Sequence, residues 1–309
     1  MDVSTLETFQ QYQSLLFGIA YRMLGTIMDA EDMVQETFLR WQRVPEHQVQ
    51  SPKRYLTTIV TRLCIDHLRS AQVKREQYIG PWLPEPIVTA AADPAAKAEQ
   101  ADSLSMAFLV LLERLSPIER AVFLLREIFD YDYTTIGLIV EKSPSNCRQI
   151  ARRAKQRIRD VRWSKTGLRP SRFSTSPHQR EQITQQFLRA CEQGDLQGLL
   201  NLLADDITLY SDGGGKVVAA LKPLHRKVKV ARFLLAIKRR QQRLGLRSEA
   251  QFIQVNSQSG LLYTTANTID SVMAFDVAQG HIQTLYFVRN PEKLRYGITD
   301  KESYVQNRN

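Results

Sequence analysis

The sequence predicts a multidomain protein: two all-α domains, the second with a helix-turn-helix, followed by an α+β domain with a curved antiparallel sheet. Three observations predict it. Apolar residues recur at helical spacing through the first half of the chain. Segments rich in proline, glycine or serine interrupt that pattern at residues 78–100 and 166–178, which we interpret as linkers. Strand-like runs begin only after residue 203.

Composition limits the classes of protein and partner. The 309 residues carry a net charge of +10, which favours a polyanionic partner, nucleic acid before membrane. Three cysteines, Cys64, Cys147 and Cys191, lie far apart and form no CxxC or Cys/His cluster, which argues against a disulfide scaffold and structural zinc. The chain starts without a signal-peptide core and contains no bilayer-length apolar run. We therefore expect a cytoplasmic protein with no membrane partner, metal or cofactor.

Residues 1–77 are predicted to form the first helical domain. Apolar side chains from Leu15 to Met23 share one helical face. Asp29 is predicted to cap a second helix, whose apolar stripe runs from Val34 to Trp41. A third helix is predicted to start at Pro52.

Residues 101–165 are predicted to form the second helical domain and to end in a helix-turn-helix. A short amphipathic stretch, Tyr133–Val140, precedes Ser143, a good helix N-cap. The helix behind it is dense in Arg and Lys, opposed only by Glu141 and Asp160. Single-sign charge favours DNA over a solvated or RNA-binding helix. The residues expected to face bases and phosphates are Ser145, Asn146, Arg148, Gln149, Arg152 and Arg153.

Residues 179–295 are predicted to form the α+β domain, with a tail at 296–309. Two helices break at Gly194-Asp195, and a third covers 226–243. Ala278-Gln279-Gly280 is a hairpin signal between the last two strands. The predicted strands are 207–210, 217–221, 251–255, 261–265, 272–277 and 282–288.

The second helix also carries acidic residues away from its core face. They are Glu31, Asp32 and Glu36, and the neutral Gln35 lies among them on the same face. Acids in a first helical turn suit the positive end of the helix dipole, so a solvated face is one interpretation. A docking face for a basic protein is the other.

These segments resemble known transcription proteins. D-A-E-D-M-V-Q-E-T-F-L-R-W is similar to sigma region two, at the helix that grips the clamp of RNA polymerase. S-P-K-R-Y-L-T-T-I-V-T-R-L-C-I-D-H-L-R resembles the segment that reads and melts the −10 element. L-S-P-I-E-R-A-V-F-L-L-R-E through I-A-R-R-A-K-Q-R-I-R resembles region four, which reads the −35 element. Order and spacing resemble an extracytoplasmic-function sigma factor over about the first 165 residues. Gly137 departs from the usual alanine and is expected to weaken its helix slightly.

The resemblance implies partners and residue roles. Core RNA polymerase, through its clamp and flap, and promoter DNA would be the partners. The acidic helix would bind polymerase, and residues 43–50 would capture a flipped base. Taken alone, His67 is better explained as a packed or solvated helix residue than as a specific reader of bases. The −10 strand would be held by Arg54, Arg62, His67, Arg69, Lys74 and Arg75.

Three further motifs are W-L-P-E-P at 82–86, D-G-G-G-K at 212–216 and N-P-E-K-L at 290–294. Each alone is a proline linker, a glycine turn or a strand exit, and D-G-G-G-K lacks P-loop spacing. Together they resemble the sigma-factor group with a SnoaL-like carboxy-terminal extension, with Glu292 where aspartate is usual. This implies an intramolecular regulator, activating or inhibiting, that acts through Trp82, Pro84, Glu85, Asp212, Gly213, Gly214, Gly215, Lys216, Asn290, Pro291, Lys293 and Leu294.

Two other functions stay open: a helix-turn-helix regulator that acts without polymerase, and a DNA-binding protein with a catalytic SnoaL-like domain. SnoaL-like folds include cyclases and isomerases with a pocket carboxylate and His or Tyr partners. No candidate pair here has diagnostic spacing, so we predict no catalytic residue and no enzyme, and leave open an unidentified small-molecule ligand. The candidates weighed are Asp206, Tyr210, Asp212, His225, Tyr263 and His281.

Overall fold

The computed structural model describes residues 3–44, 49–89, 104–166 and 175–298; at 3–4, 71–76 and 160–166 it describes the backbone alone. The chain divides into two compact units. The helical unit comprises Met1–Gln77 and Leu111–Val161, and the sheet unit comprises Tyr78–Val110 and Arg162–Asn309. Among the described helices, none combines the length and the apolar character needed to cross a bilayer.

Seven helices account for the first half of the described chain. Trp41 is fully buried, and its indole nitrogen donates to the Thr5 carbonyl at 3.0 Å, which ties the second helix to the first. The buried faces of the first helix include Leu16, Ile19 and Met23, as the helical spacing predicts. The helices are α1 Val3–Leu24, α2 Ile27–Trp41, α3 Pro52–Glu76, α4 Met106–Leu112, α5 Pro117–Glu127, α6 Tyr133–Val140 and α7 Pro144–Thr166.

One predicted helix start is wrong. α2 begins at Ile27 with Thr26 at the N-cap, so Asp29 lies inside the first turn instead of capping it. The Thr26 hydroxyl donates to the Asp29 carboxylate, which holds the start of the helix without an Asp cap. α5 starts with a capping box: Ser116 and Glu119 bond reciprocally ahead of Pro117.

The described part of the sheet unit contains three complete helices, parts of α4 and α7, and seven strands. The sheet order is β1-β4-β5-β6-β7-β2-β3, and all neighbours are antiparallel except β2 and β7, which are parallel. The predicted α+β class with a curved antiparallel sheet is confirmed, except that one pair of strands, β2 and β7, is parallel. The elements are α8 Pro177–Gln193, α9 Leu196–Leu202, β2 Leu203–Asp212, β3 Leu224–His225, α10 Lys227–Arg243, β4 Ser248–Val255, β5 Gln258–Thr265, β6 Thr268–Ala278 and β7 His281–Val288, with β1 at Val88–Thr89.

Both faces of this sheet are apolar and covered. Phe187 of α8, Leu199 of α9 and Leu234 of α10 pack with Leu261 and Phe275 on one face. The opposite face carries a second cluster. Alternate residues of β6 enter the two clusters, as the period-two geometry of a strand requires. The second cluster includes Leu83, Val88, Met106, Ile253, Leu262, Tyr286, Leu294 and Ile298.

Two segments differ from their predicted conformation. Residues 217–221 form no strand, so that prediction is wrong. Val218 and Leu221 are about two-thirds exposed, so their apolar side chains are not buried as they would be in a strand of the sheet. The segment interpreted as the first linker contributes β1, which pairs with β4. A strand of two residues is too short to leave a period-two pattern in the sequence. Residues 90–103 and 167–174 lie outside the described ranges.

Candidate functional site

The acidic residues of α2 lie on its solvent face. Glu31, Asp32 and Gln35 are exposed, while Glu36 pairs with Arg40 one turn later at 2.8 Å. A groove between α1 and α2 is lined in equal number by apolar side chains, among them Val34 and Phe38, and by polar ones, among them Glu31 and Gln35. A groove of this mixed character can accept a partner helix that carries apolar and basic side chains.

The residues expected to hold the −10 strand lie along α3. Arg54 is exposed, and Arg69 is exposed and pairs with Asp66 at 3.3 Å. His67 lies 3.6 Å from the Asp29 carboxylate, a helix-to-helix contact that fits the packed interpretation of this histidine. The side chains of Lys74 and Arg75, and residues 45–48 of the predicted base-capturing loop, lie outside what the structure describes.

Arg62 makes contacts that the sequence did not indicate. Its Nε donates to the Ile139 carbonyl and its Nη2 to the Leu138 carbonyl, both at 2.9 Å. Its Nη1 lies 3.0 Å from the Glu141 carboxylate. The guanidinium therefore caps the carboxyl end of α6, where unpaired carbonyls and the helix dipole favour a cation. In this arrangement Arg62 is engaged by the helix-turn-helix.

The helix-turn-helix is built as its sequence predicts. Asp132 caps α6 by accepting from the backbone nitrogens of Thr134 and Thr135, each at 2.9 Å. The Thr135 hydroxyl also donates to it at 2.7 Å. The side-chain bond from Thr135 and these backbone bonds lower the pKa of Asp132 to about 2. α6 ends at Val140, and its C-cap residue Glu141, with a φ of 55°, turns the chain toward α7.

Glycine is required at position 137 for a steric reason. A Cβ added there would lie 2.6 Å from the Lys142 carbonyl oxygen, which is closer than real Cβ contacts come. The Gly137 carbonyl in turn accepts from the Lys142 nitrogen at 3.0 Å. Glycine at this position therefore permits a close approach between α6 and the turn, rather than only weakening the helix.

The second helix of the motif separates an apolar face from a cationic one. Cys147, Ile150 and Ala154 are buried. Arg148 lies over the Tyr133 ring at 5.4 Å, beside a groove that Arg152 also lines. Two later cations have structural partners: Lys155 pairs with Glu127 at 2.8 Å and Arg157 with Glu119 at 2.6 Å. Of the residues predicted to face DNA, Asn146 is half-buried, and the exposed ones are Ser145, Arg148, Gln149, Arg152 and Arg153.

The three motifs of the sheet unit meet around Asp212. Its side chain is fully buried at the end of β2. One carboxylate oxygen accepts from the Tyr78 hydroxyl at 2.6 Å and from the Gly214 nitrogen at 3.1 Å. The other accepts from the Leu83 nitrogen at 2.8 Å. A single carboxylate thus binds the segment 78–83 to the glycine turn.

Lys293 supplies the opposing charge. Its ammonium lies 2.8 Å from the same Asp212 oxygen that binds Leu83, and it also donates to the Leu83 carbonyl. The ring centres of Trp82 and Tyr78 are 4.2 and 4.9 Å from it, within cation–π range. Buried charges persist in proteins when they are paired and hydrogen-bonded in this way.

Asn290 and the glycine turn complete this motif cluster. The Asn290 amide donates to the Tyr78 hydroxyl at 2.9 Å. Gly214 has a φ of +58°, and a Cβ there would lie 2.3 Å from the Asn290 amide nitrogen, so both backbone and space require glycine. Lys216 and Glu292 form an exposed ion pair. Burial and the Asp212 carboxylate raise the pKa of the Tyr78 hydroxyl.

The other residues of the three motifs differ in burial. Pro84 and Glu85 are buried, and Leu294 packs in the same apolar cluster as Leu83. Gly213 is buried, whereas Gly215 and Pro291 are exposed. Tyr78 is the residue of this cluster that sequence reasoning missed, because a single tyrosine before W-L-P-E-P has no spacing that marks it.

The residues weighed for catalysis lie on four strands: Asp206, Tyr210 and Asp212 on β2, His225 on β3, Tyr263 on β5 and His281 on β7. Asp212 belongs to the motif cluster, whereas His225 contacts the Thr208 hydroxyl at 3.1 Å on strand β3. Tyr263 packs against the apolar cluster under the helices, and desolvation raises its pKa. His281 is exposed at the start of β7, and Asp206 is exposed on β2. In the described ranges no three His, Cys, Asp or Glu residues are grouped so as to hold a metal ion.

Known proteins resemble the chain over both of its units. The family model described as Sigma-70 region 2 matches residues 8–73, and the model described as Sigma-70, region 4 matches residues 105–158. The chain is 34% identical over 303 residues to a protein named ECF RNA polymerase sigma factor SigJ, from Mycobacterium tuberculosis strain H37Rv, covering 95% of this chain and 93% of that protein.

Two further comparisons agree with this one. A Mycobacterium tuberculosis protein named Probable ECF RNA polymerase sigma factor SigI is 37% identical over 197 residues, covering 63% of this chain and 65% of that protein. The crystal structure of Mycobacterium tuberculosis extracytoplasmic function sigma factor SigJ superposes with a TM-score of 0.73 at 31% identity, covering 95% of this chain and 98% of the other. The similarity therefore includes the sheet unit as well as the helices.

Proposed function

This chain belongs to the family of extracytoplasmic-function RNA polymerase sigma factors, and we propose that α2, α3 and α7 each perform one step in directing core polymerase to a promoter. The observation that carries the proposal is that one helical unit has two surfaces of opposite charge. α2 exposes acids beside a groove of mixed apolar and polar lining, whereas α7 exposes cations. A regulator that acts without polymerase would use the cationic face and leave the acidic one without a role.

In this proposal α2 docks on the polymerase clamp. Glu31 and Asp32 are exposed, and among the described side chains neither has a basic partner within ion-pair distance. They are therefore available to cations of a partner protein, while the groove beside them supplies apolar area. The α5–α7 segment would contact the flap.

DNA recognition is divided between α3 and α7. The start of α7 presents Arg148, Gln149 and Arg152 to base edges and phosphates of the −35 element. α3 contributes Arg54 and Arg69 beside the −10 strand. Arg62 can join them only after it leaves the α6 carbonyls, so its own contribution to −10 binding requires α6 to separate from α3.

The sheet unit is proposed as a non-catalytic regulator that acts through the motif cluster. The support is that W-L-P-E-P is bonded through Asp212 and Lys293 to the two later motifs. Residues 78–89 connect this unit to α3 along the chain, so their conformation depends on the folded sheet. A small-molecule ligand of this unit is compatible with such a role, and transcription initiation would take place in the cytoplasm.

The docking surface is tested by reversing its charge. In Glu31→Lys/Asp32→Lys, core polymerase should bind at least about tenfold more weakly, because like charges replace a complementary pair of surfaces. Affinity is measured by fluorescence anisotropy of the labelled full-length protein with purified core enzyme.

The matched control reverses two exposed acids elsewhere in the helical unit, Glu7→Lys and Asp66→Lys, with the same change in net charge. The control should bind core enzyme as the unsubstituted protein does. Equal affinities for the α2 variant and the control would remove the docking role of α2.

A further inference from the structure

The sheet unit contains a cationic segment that the family motifs do not include. Between Lys222 and Arg247 the chain carries ten Lys and Arg residues and neither Asp nor Glu. Helix α10, Lys227–Arg243, lies within this segment. Single-sign charge at this density repels itself, so a folded helix that retains it is suited to a polyanionic partner.

The charges of α10 are sorted by helical geometry. Val230, Ala231, Leu234 and Leu235 are buried against the sheet, and the cations follow the opposite side. These cations form what we call the basic stripe, which consists of the exposed residues Lys229, Arg232, Arg239, Arg240 and Arg243. Their spacing of three, seven, one and three residues keeps them on the solvent side of a helix with 3.6 residues per turn.

The basic stripe is not neutralised by neighbouring acids. Within the described ranges, none of its five side chains has an acid within ion-pair distance or another hydrogen-bond partner. The cations of α10 that do have partners lie beside the stripe: Lys227 pairs with Asp205 at 2.6 Å, and Lys238 donates to the Glu192 carbonyl. The stripe therefore presents five uncompensated charges to solvent.

We propose that the basic stripe binds the phosphate backbone of duplex DNA, giving the protein a third DNA contact outside the two sigma regions. From Lys229 to Arg243 the stripe runs about 21 Å at about 1.5 Å per residue, about two-thirds of one turn of duplex. Four of its five residues are arginine, whose planar guanidinium matches two phosphate oxygens at once. Contacts of this kind hold DNA without reading its sequence.

An anionic membrane would require a different helix. Helices that lie in a membrane surface insert an apolar face beneath the headgroups. Most of the apolar face of α10 is already buried against the sheet; the exposed large apolar side chains here are Val228 in its first turn and Leu244 and Leu246 beyond its end. Duplex DNA, which needs surface charge and no insertion, is the better match.

The test measures DNA binding by the full-length protein. Arg232→Gln/Arg239→Gln/Arg243→Gln removes three charges of the stripe. Binding to a duplex of about 30 base pairs and arbitrary sequence is followed by anisotropy over a range of salt concentrations. The slope of log affinity against log salt should become shallower by about 2.7, and affinity at low salt should fall at least about tenfold, because each lost phosphate contact contributes about 0.9 to the slope.

Two comparison variants locate the effect. Gln186→Glu/Thr268→Glu/Gln279→Glu changes net charge equally at exposed positions outside α10 and should leave most of the affinity intact. Arg148→Gln/Arg152→Gln/Arg153→Gln changes the recognition helix and tests the proposed −35 contact by its loss of promoter transcription. If the stripe variant matches the control, the inference is overturned while the proposed function stands.

A vesicle assay tests an anionic membrane as the alternative partner of the basic stripe. Unsubstituted protein should not sediment with vesicles of phosphatidylserine and phosphatidylcholine at a salt concentration where it still binds duplex DNA. Sedimentation that disappears in the stripe variant, together with unchanged DNA binding, would assign the surface to a membrane and overturn the DNA contact.

Discussion

Asp212 shows how one buried side chain joins segments that are far apart in sequence. It binds Tyr78 and Leu83, more than 120 residues earlier, and Lys293, 81 residues later. In the unfolded chain, residues this far apart rarely meet, because closing such long loops costs entropy. The carboxylate therefore organises the motif cluster only once the sheet has formed. The cluster is therefore sensitive to single substitutions.

Asp212→Asn should lower the free energy of unfolding of the sheet unit by about 3–5 kcal/mol. The amide keeps the shape of the side chain but leaves the buried Lys293 ammonium without a counter-charge, and that is the costly half of a broken buried pair. Urea denaturation followed by tryptophan fluorescence, with Trp82 inside the cluster, measures the change.

Lys216→Gln is the control, because it breaks the exposed pair with Glu292 and should cost less than about 1 kcal/mol. Similar losses in the two variants would show that Asp212 and Lys293 are not the structural centre of the cluster. Promoter transcription by Asp212→Asn should change while affinity for core polymerase stays constant, as the regulatory proposal requires.

Residue contacts are where sequence reasoning reached its limit. The letters of the three motifs could be read from the chain, and the resemblance grouped them. The bonds from Arg62 to the Leu138 and Ile139 carbonyls could not be predicted from the sequence, because they depend on how α3 and α6 pack. The single-sign run from Lys222 to Arg247 was visible in the sequence, but only the burial pattern of α10 shows which of its cations face solvent.

Among the elements, α6, the turn and α7 were predictable because each start has a local signal. Asp132, Ser143 and Pro144 mark those starts, and helix capping depends on neighbours within three residues. Strand β1 had no such signal, since two residues cannot show alternation. The apolar run at 217–221 resembled a strand, but burial depends on neighbouring strands that a local pattern does not reveal.

Gly137→Ala should destabilise the helical unit, although helix propensity alone favours alanine by about 1 kcal/mol. The added Cβ would lie 2.6 Å from the Lys142 carbonyl oxygen, and a backbone atom cannot move aside cheaply. Overpacking of this kind costs about 1–3 kcal/mol, so the net sign is a loss and the melting temperature should fall. Thr134→Ala, on the exposed side of the same helix, should change it little. A higher melting temperature for Gly137→Ala would contradict the steric account.

The Asp132 cap makes a pH-dependent prediction. Its pKa is about 2 in the folded protein and near 3.8 without these bonds, so its stabilisation is present above about pH 4 and is lost as pH falls toward 2. Asp132→Ala should therefore melt below the unsubstituted protein at pH 7, and the difference should shrink between pH 4 and pH 2. A difference that stays constant over this range would show that the carboxylate does not act as a charged cap.

At the scale of the whole molecule, each unit carries a helix with a densely cationic solvent face, α7 in the helical unit and α10 in the sheet unit. The family assignment explains the first, and the proposed backbone contact explains the second. Together they contribute to the net charge of +10 in a chain that, in the proposed function, also presents the acidic face of α2 to polymerase. Surfaces of opposite charge are what that proposal expects of a protein with two kinds of partner.

Transcription by purified components tests the central claim most directly. Core RNA polymerase is mixed with the full-length protein and a DNA library randomised over about 60 base pairs, and the transcripts are sequenced. We expect start sites that share two short elements at fixed spacing and that are absent with core enzyme alone. Transcripts indistinguishable from those of core enzyme alone, together with no complex between the two proteins, would contradict the assignment as a polymerase-directing subunit.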